Sequence, residues 1–173
     1  MKIIVSNKAI SHMKAHENEF LVDWKKLIKI CEKHKKIKGL AKEFEIVELE
    51  FERPVGYCKL VEVKENEEVV YGRRLGRDNY SKFIKDVNPT MTNKLTLILK
   101  KSYQKPDEYY LITMFPGGKS YKEPEDINIA DKKELEESLR FWSRHALIYD
   151  EDIVIEDSVR GYCPYKNLYL AIS

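Results

Sequence analysis

The sequence predicts an α+β fold, with N-terminal helices packed on a four- to five-stranded antiparallel sheet and a C-terminal helix. Three observations predict it. Ile10, Met13, Phe20, Leu21, Trp24, Leu27, Ile28 and Cys31 recur at steps of three and four, the spacing of a helical stripe buried on one side. Glu45 to Glu52 (EIVELEFE) alternates apolar and acidic residues, the period of a half-buried strand. KLTLILK (Lys94–Lys100) and YYLITMF (Tyr109–Phe115) are β-branched and aromatic runs between turn residues, and they are the strongest strand patterns in the chain.

The elements follow in order. Met1 to Val5 reads as a short strand or a loose start. A helical region runs from about Asn7 to Lys36, capped by Ser6 or Ser11, divided near Glu17–Glu19 and closed by Gly39. Strands at Glu45–Glu52 and Tyr57–Lys64 flank a Pro54–Gly56 turn, and a turn at Glu65-Asn66 precedes a strand starting at Val69. Tyr80–Ile84 reads as a helical turn. Ser102–Asp107 makes a hairpin connection, and Pro116-Gly117-Gly118 stops the second strand. Asp131 and Glu134 form a capping box for a helix to about Ala146, and Asn167–Ile172 reads as a last strand. No repeat or Pro/Ser linker is visible. We therefore expect one α+β domain over 1–173: a helical basic region (1–42), a sheet (43–122) and a helix with a C-terminal strand (123–173).

Composition narrows the function. No apolar run approaches the roughly 18 residues of a membrane span, and the start has no signal-peptide pattern. Three cysteines without CxxC spacing argue against a disulfide framework and for a reducing cytoplasm. The net charge of +2 hides blocks: 1–42 carries +7, 43–70 carries −6, 71–122 carries +7, 123–157 carries −8 and the remainder +2. Two basic blocks meeting in the fold would make a phosphate-attracting cleft with acidic rims, whereas solvated Lys/Glu alternation is the plainer account. There is no P-loop, GxGxxG, GxSxG or HExxH, so no cofactor is expected and no metal site.

The remaining residues suited to chemistry are few. His12 and His16 stand four apart on one helix, roughly 80–120° from the centre of its apolar stripe, and so share an accessible flank. That placement suits general acid or base catalysis or phosphate contact near neutral pH. Arg73, Arg74 and Arg77 sit in a glycine-bounded loop, with Tyr80 and Ser81 just beyond. Arginine forks match phosphate oxygens, although basic turns are common on surfaces. Thr113 is a hydroxyl in an otherwise apolar strand, where bonding to neighbouring backbone is the plainer role. His145 ends the last predicted helix, where the helix dipole favours it. The RFWSRH spacing of Arg140 and His145 matches HEPN ribonucleases, but those are all-α and this chain is rich in strand patterns.

Taken together, the order of pieces resembles the superfamily of small ribonucleases that includes barnase, EndoU, colicin D and RelE-type toxins, particularly its colicin-like and phage-borne branches. The matching parts are VVYGRRLGR, YSKF, TNKLTLIL and YYLITMFPG, within Ser11–Gly117. The resemblance implies helices preceding a four-stranded antiparallel sheet whose face cleaves RNA. It implies a toxin- or phage-type endoribonuclease that acts without metal, making a 2′,3′-cyclic phosphate by attack of the RNA's own 2′-hydroxyl. His12 or His16 would be base or acid, with His145 as substitute acid. Lys14, Arg73, Arg74 and Arg77 would hold phosphate, Ser81 and Thr113 would position it, and Tyr71 and Tyr80 would stack on bases. The partners implied are RNA, tRNA among the candidates, and an antitoxin or immunity protein. The competing expectations are a non-catalytic RNA- or protein-binding module and a subunit docking through its acidic segments.

Overall fold

The computed structural model describes residues 1–172. In chain order the elements are β1 (Lys2–Ile4), α1 (Asn7–Ala15), a 3-10 turn (Glu17–Glu19), α2 (Trp24–Cys31), α3 (Lys35–Lys38), β2 (Phe44–Glu50), β3 (Gly56–Cys58), β4 (Leu60–Glu62), β5 (Val69–Arg73) and β6 (Tyr80–Ile84). There follow β7 (Thr90–Thr92), β8 (Lys94–Lys101), β9 (Glu108–Pro116), α4 (Lys132–Arg144), β10 (His145–Ile148), a second 3-10 turn (Glu156–Ser158) and α5 (Lys166–Ile172). Contacts divide the chain into two compact units. The first is Met1–Cys58 with Thr90–Lys119, and the second is Lys59–Pro89 with Ser120 onward. Sequence segments 1–42, 43–122 and 123–173 do not follow this division, because the chain leaves the first unit after Cys58 and returns to it at Thr90. Among the described residues no helix is long and apolar enough to cross a membrane.

The first unit holds a four-stranded sheet in the order β1-β9-β8-β2 and a two-stranded ribbon, β3-β7. β2, β8 and β9 are antiparallel neighbours, but β1 joins β9 in parallel. The sheet is therefore mixed, not antiparallel throughout as expected. Ser6 caps α1, its hydroxyl accepting from the Ala9 N–H, and Asp23 and His34 cap α2 and α3 in the same way. One core joins Met13, Trp24, Leu27, Ile28, Cys31 and Ile37 from the helices with Val47, Leu49, Leu95, Leu97, Leu99, Tyr109, Leu111 and Met114 from the strands. Burial of each such side chain contributes about 1.5–3 kcal/mol before entropy is counted. Burial also lifts the Cys31 thiol to about 12, a structural cysteine.

The opposite face of this sheet is largely open. Registered neighbours share a face, which gives two rows across the strands. One row is Ile46, Ile98 and Thr113, and the other is Phe44, Lys100, Tyr110 and Ile4. A third row, Glu48, Thr96 and Phe115, is covered. There Gly117 returns over Thr96, whose hydroxyl donates to the Gly117 carbonyl, and the Lys119 N–H donates to Glu48.

The second unit holds β4-β10-β6-β5, again mixed, since β10 is antiparallel to β4 and parallel to β6. Val70, Phe83 and Val154 form its small core with Leu147, Tyr149, Ile153 and Val159. Three local expectations fail here. Tyr80–Ile84 is a strand, not a helical turn, because pairing with β5 and β10 buries Ser81 to Ile84. Asn167–Ile172 lies in helix α5, not a strand; Tyr165, Leu168 and Tyr169 fall at helical spacing, and the Tyr169 hydroxyl donates to the Leu139 carbonyl. The predicted strand Tyr57–Lys64 breaks at Lys59, β3 pairing with β7 and β4 with β10. The N-cap half of the capping box is present, Asp131 accepting from the Glu134 N–H, but the Glu134 carboxylate reaches back one residue further, to the Ala130 N–H.

Candidate active site

The first unit brings three of the expected site residues together. α1 presents Ala9 and Met13 to the core, which turns His12 outward. Its Nε2 lies 3.0 Å from Thr113 Oγ1. His16 caps the C-terminus of α1, and its N–H donates to the Lys14 and Met13 carbonyls. The two imidazole rings sit 4.9 Å apart, edge to face. Glu19, in the following 3-10 turn, holds His16 Nδ1 at 2.9 Å with its Oε1. With Nδ1–H donated to the carboxylate, Nε2 carries the lone pair, the arrangement that suits a base. Lys14 is exposed on α1, but two residues along a helix turn by about 200°, so it points away from His12. Lys8, also exposed, stands four residues before His12 and shares its face.

A bulge in β9 decides the orientation of Thr113. β8 pairs Leu99 with Leu111 and the next residue, Ile98, with Thr113, so Ile112 is the extra residue. Regular alternation would aim Thr113 into the core. With the extra residue, Met114 takes the core position, 2% exposed, and Thr113 faces the open side. Glu19 is fixed from behind by Gly56. A Cβ there would strike the Glu19 carbonyl and the Pro116 ring, so the close packing of turn, ribbon and β9 requires glycine.

The other expected residues belong to the second unit. The Arg74 Nε donates to Ser81 Oγ at 2.9 Å, and its Nη2 meets Glu123 Oε2 at 2.9 Å. The same oxygen accepts from Asn79 Nδ2 at 2.6 Å and lies 3.8 Å from Arg77 Nη1. Glu123 is only 6% exposed. Burial pulls the Arg74 guanidinium below its ordinary value, and the Glu123 charge opposes that shift. A carboxylate from the chain itself thus occupies the place anticipated for phosphate. Arg73 lies over the Tyr80 ring at 5.9 Å, and the Tyr80 N–H donates to Glu125 Oε2. Arg73 Nε is buried, with no hydrogen-bond partner among the described residues.

Tyr71 and His145 are engaged in packing. The Tyr71 ring meets Tyr165 edge to face at 5.6 Å, and burial, then the nearby Cys163, hold its hydroxyl far above the ordinary phenol range. His145 Nδ1 lies 2.9 Å from the Phe141 carbonyl and its ring stacks on Phe141 at 4.1 Å. His145 is the C-cap of α4, as the sequence suggests, and in the same position it opens β10.

Several residues escaped the sequence reading. Glu19 could have been found, since it follows His16 by three. Lys82, 8% exposed, donates from Nζ to the Trp142 and Ser143 carbonyls and so caps the end of α4. Burial lowers its ammonium below the usual range, against an opposing contribution from Cys163. No local signal announces that role. Glu123 and Glu125 lie more than forty residues from the groups they bind, beyond any spacing rule. No protein-family model, no curated protein and no solved structure matches this chain.

Proposed function

We propose that the first unit is the centre of a metal-independent endoribonuclease, of toxin or phage type, in which His12 and His16 divide acid and base catalysis. The observation that carries this reading is the pair of imidazole rings 4.9 Å apart, each held by its own partner, Thr113 on His12 and Glu19 on His16. RNA supplies its own nucleophile, so the protein needs only to move two protons and to stabilise charge. His16 Nε2 accepts the proton of the 2′-hydroxyl as its oxygen bonds to phosphorus. His12 gives a proton to the 5′-oxygen as the P–O5′ bond breaks. The products are a 2′,3′-cyclic phosphate and a 5′-hydroxyl, and the proton count closes when the two imidazoles exchange states. Lys8, on the same helix face, is placed to meet a phosphate oxygen.

The test is incubation of purified protein with total tRNA and a mixed RNA ladder, with and without EDTA, beside His12→Ala and His16→Ala. Discrete fragments ending in cyclic phosphate, insensitive to EDTA and lost in both variants, are expected. RNA that is retarded in a gel yet never cut sinks the enzyme and leaves a binding module. Fragments that persist in both variants move the chemistry elsewhere.

A further inference from the structure

The open face of the first unit's sheet carries a surface that none of the residues discussed above explains. Phe44 is 56% exposed, Ile46 44%, Tyr110 38% and Ile112 47%, all on the side away from the core. Tyr103, in the β8–β9 turn, is 80% exposed. The Lys100 ammonium sits between two of these rings, 5.2 Å from Phe44 and 5.4 Å from Tyr103. The row Ile46, Ile98, Thr113 runs directly to His12 through the Thr113 contact.

We propose that this face is a stacking platform for single-stranded RNA, with Phe44 and Tyr110 as base-stacking rings and Lys100 as the cation for the backbone. The inference rests on the ribonuclease reading and names how its substrate is held. Three arguments select this occupant. Aromatic rings exposed on a sheet offer π-faces that any unpaired base can use, while a duplex keeps its bases stacked on one another. A lysine at the centre of the patch is what a protein–protein interface core tends to lack, and it suits a phosphodiester backbone. Of the neighbouring acids, Glu48 is neutralised by Lys94 and accepts from the Lys119 N–H, while Glu50 and Glu43 are held at their positions by Asn93 and the Tyr103 hydroxyl. The Phe44–Tyr110 row and the Ile46–Thr113 row lie two residues apart along the strands, about 7 Å, so a strand held on the first can reach the histidines beside the second.

The experiment is fluorescence anisotropy with a labelled 2′-O-methyl RNA 12-mer, which lacks the nucleophile and is not cut, alone or annealed to its complement. Wild type is expected to bind the single strand at least tenfold more tightly than the duplex. Phe44→Ala and Tyr110→Ala should each weaken binding about fivefold or more, at about 1–3 kcal/mol per stacked base, and Tyr110→Phe should restore it. Lys100→Gln should lower the salt slope by about 0.7. Tyr162→Ala, an exposed tyrosine of the second unit, should bind as wild type. Equal binding of duplex, a Phe44→Ala/Tyr110→Ala protein within twofold of wild type, or no binding of either oligonucleotide overturns the platform, and the last returns the face to a protein partner. Because the probe cannot react, the two readings separate. Binding through these rings without cleavage of unmodified RNA removes the enzyme and keeps the platform. Cleavage with unchanged KM in the double variant does the reverse.

Discussion

His12 Nε2 and Thr113 Oγ1 stand 3.0 Å apart although 101 residues separate them in the chain. The contact ties the exposed flank of the first helix to the open face of the sheet through a single hydroxyl. Its position depends on one extra residue, Ile112, in a strand that otherwise alternates.

Thr113→Val keeps the shape of the side chain and removes the hydroxyl. Unfolding free energy should change by no more than about 1 kcal/mol, the net value of one such bond. On the proposed ribonuclease reading, in which Thr113 holds the His12 imidazole instead of the phosphate, RNA cleavage should lose about tenfold in kcat with KM unchanged. Thr113→Ser should recover most of that loss. A kcat unaffected by Thr113→Val would make the contact a packing detail.

Gly56→Ala tests the support behind Glu19. The added methyl meets the Glu19 carbonyl and the Pro116 ring, and overpacking of this kind costs about 1–3 kcal/mol. Urea denaturation should show the loss. A substitution tolerated within about 0.5 kcal/mol would mean that the turn and ribbon shift freely.

Glu48 gives the first unit an acid limb. The Lys119 N–H, at 2.8 Å, holds its carboxyl below the ordinary 4.5 against the opposing effect of burial, with lesser help from Lys94. A folded value lower than the unfolded one means that the unfolded chain binds more protons in that range. The stabilisation is therefore complete above about pH 4.5 and lost as pH falls through the folded value. Urea midpoints at pH 6, 4.5 and 3 should converge for wild type and Glu48→Gln at the lowest pH. A gap that stays constant over that range would refute the linkage.

Arg74→Met leaves the Glu123 carboxylate, 6% exposed, without its closest cation. Removing one partner of a buried pair costs about 3–5 kcal/mol, whereas replacing both with apolar groups is often neutral. Arg74→Met/Glu123→Leu should accordingly be more stable than Arg74→Met alone. If the single variant melts as wild type does, water reaches the pair and the site is open enough to take an external anion.

Much of the local architecture could be read from contiguous residues. The Ser6 cap, the Asp131 cap, the Pro116–Gly118 stop and the two apolar strands β8 and β9 all appear where the pattern places them. The shared flank of His12 and His16 follows from helical spacing alone, and the rings do lie together. Tyr80–Ile84 misled because YSKFI has no alternation; both of its faces are covered, which removes the polar–apolar signal of a half-buried strand. Asn167–Ile172 misled because a seven-residue helix is too short for its period to stand out from a strand.

The sequence by itself determined which segments would be helix or strand in most of the chain, and that His12 and His16 would face the same way. Caps, turns and periodicity are written in neighbouring residues, so their physical causes act within a few positions. Only the tertiary structure decided that β1 would pair in parallel with β9, that the chain would divide at Lys59, and that Thr113 would turn outward to meet His12. It also decided that Glu123 would take the arginines expected to hold phosphate. Those outcomes depend on which distant surfaces close on one another, and that choice is made by burial and charge satisfaction over the whole fold.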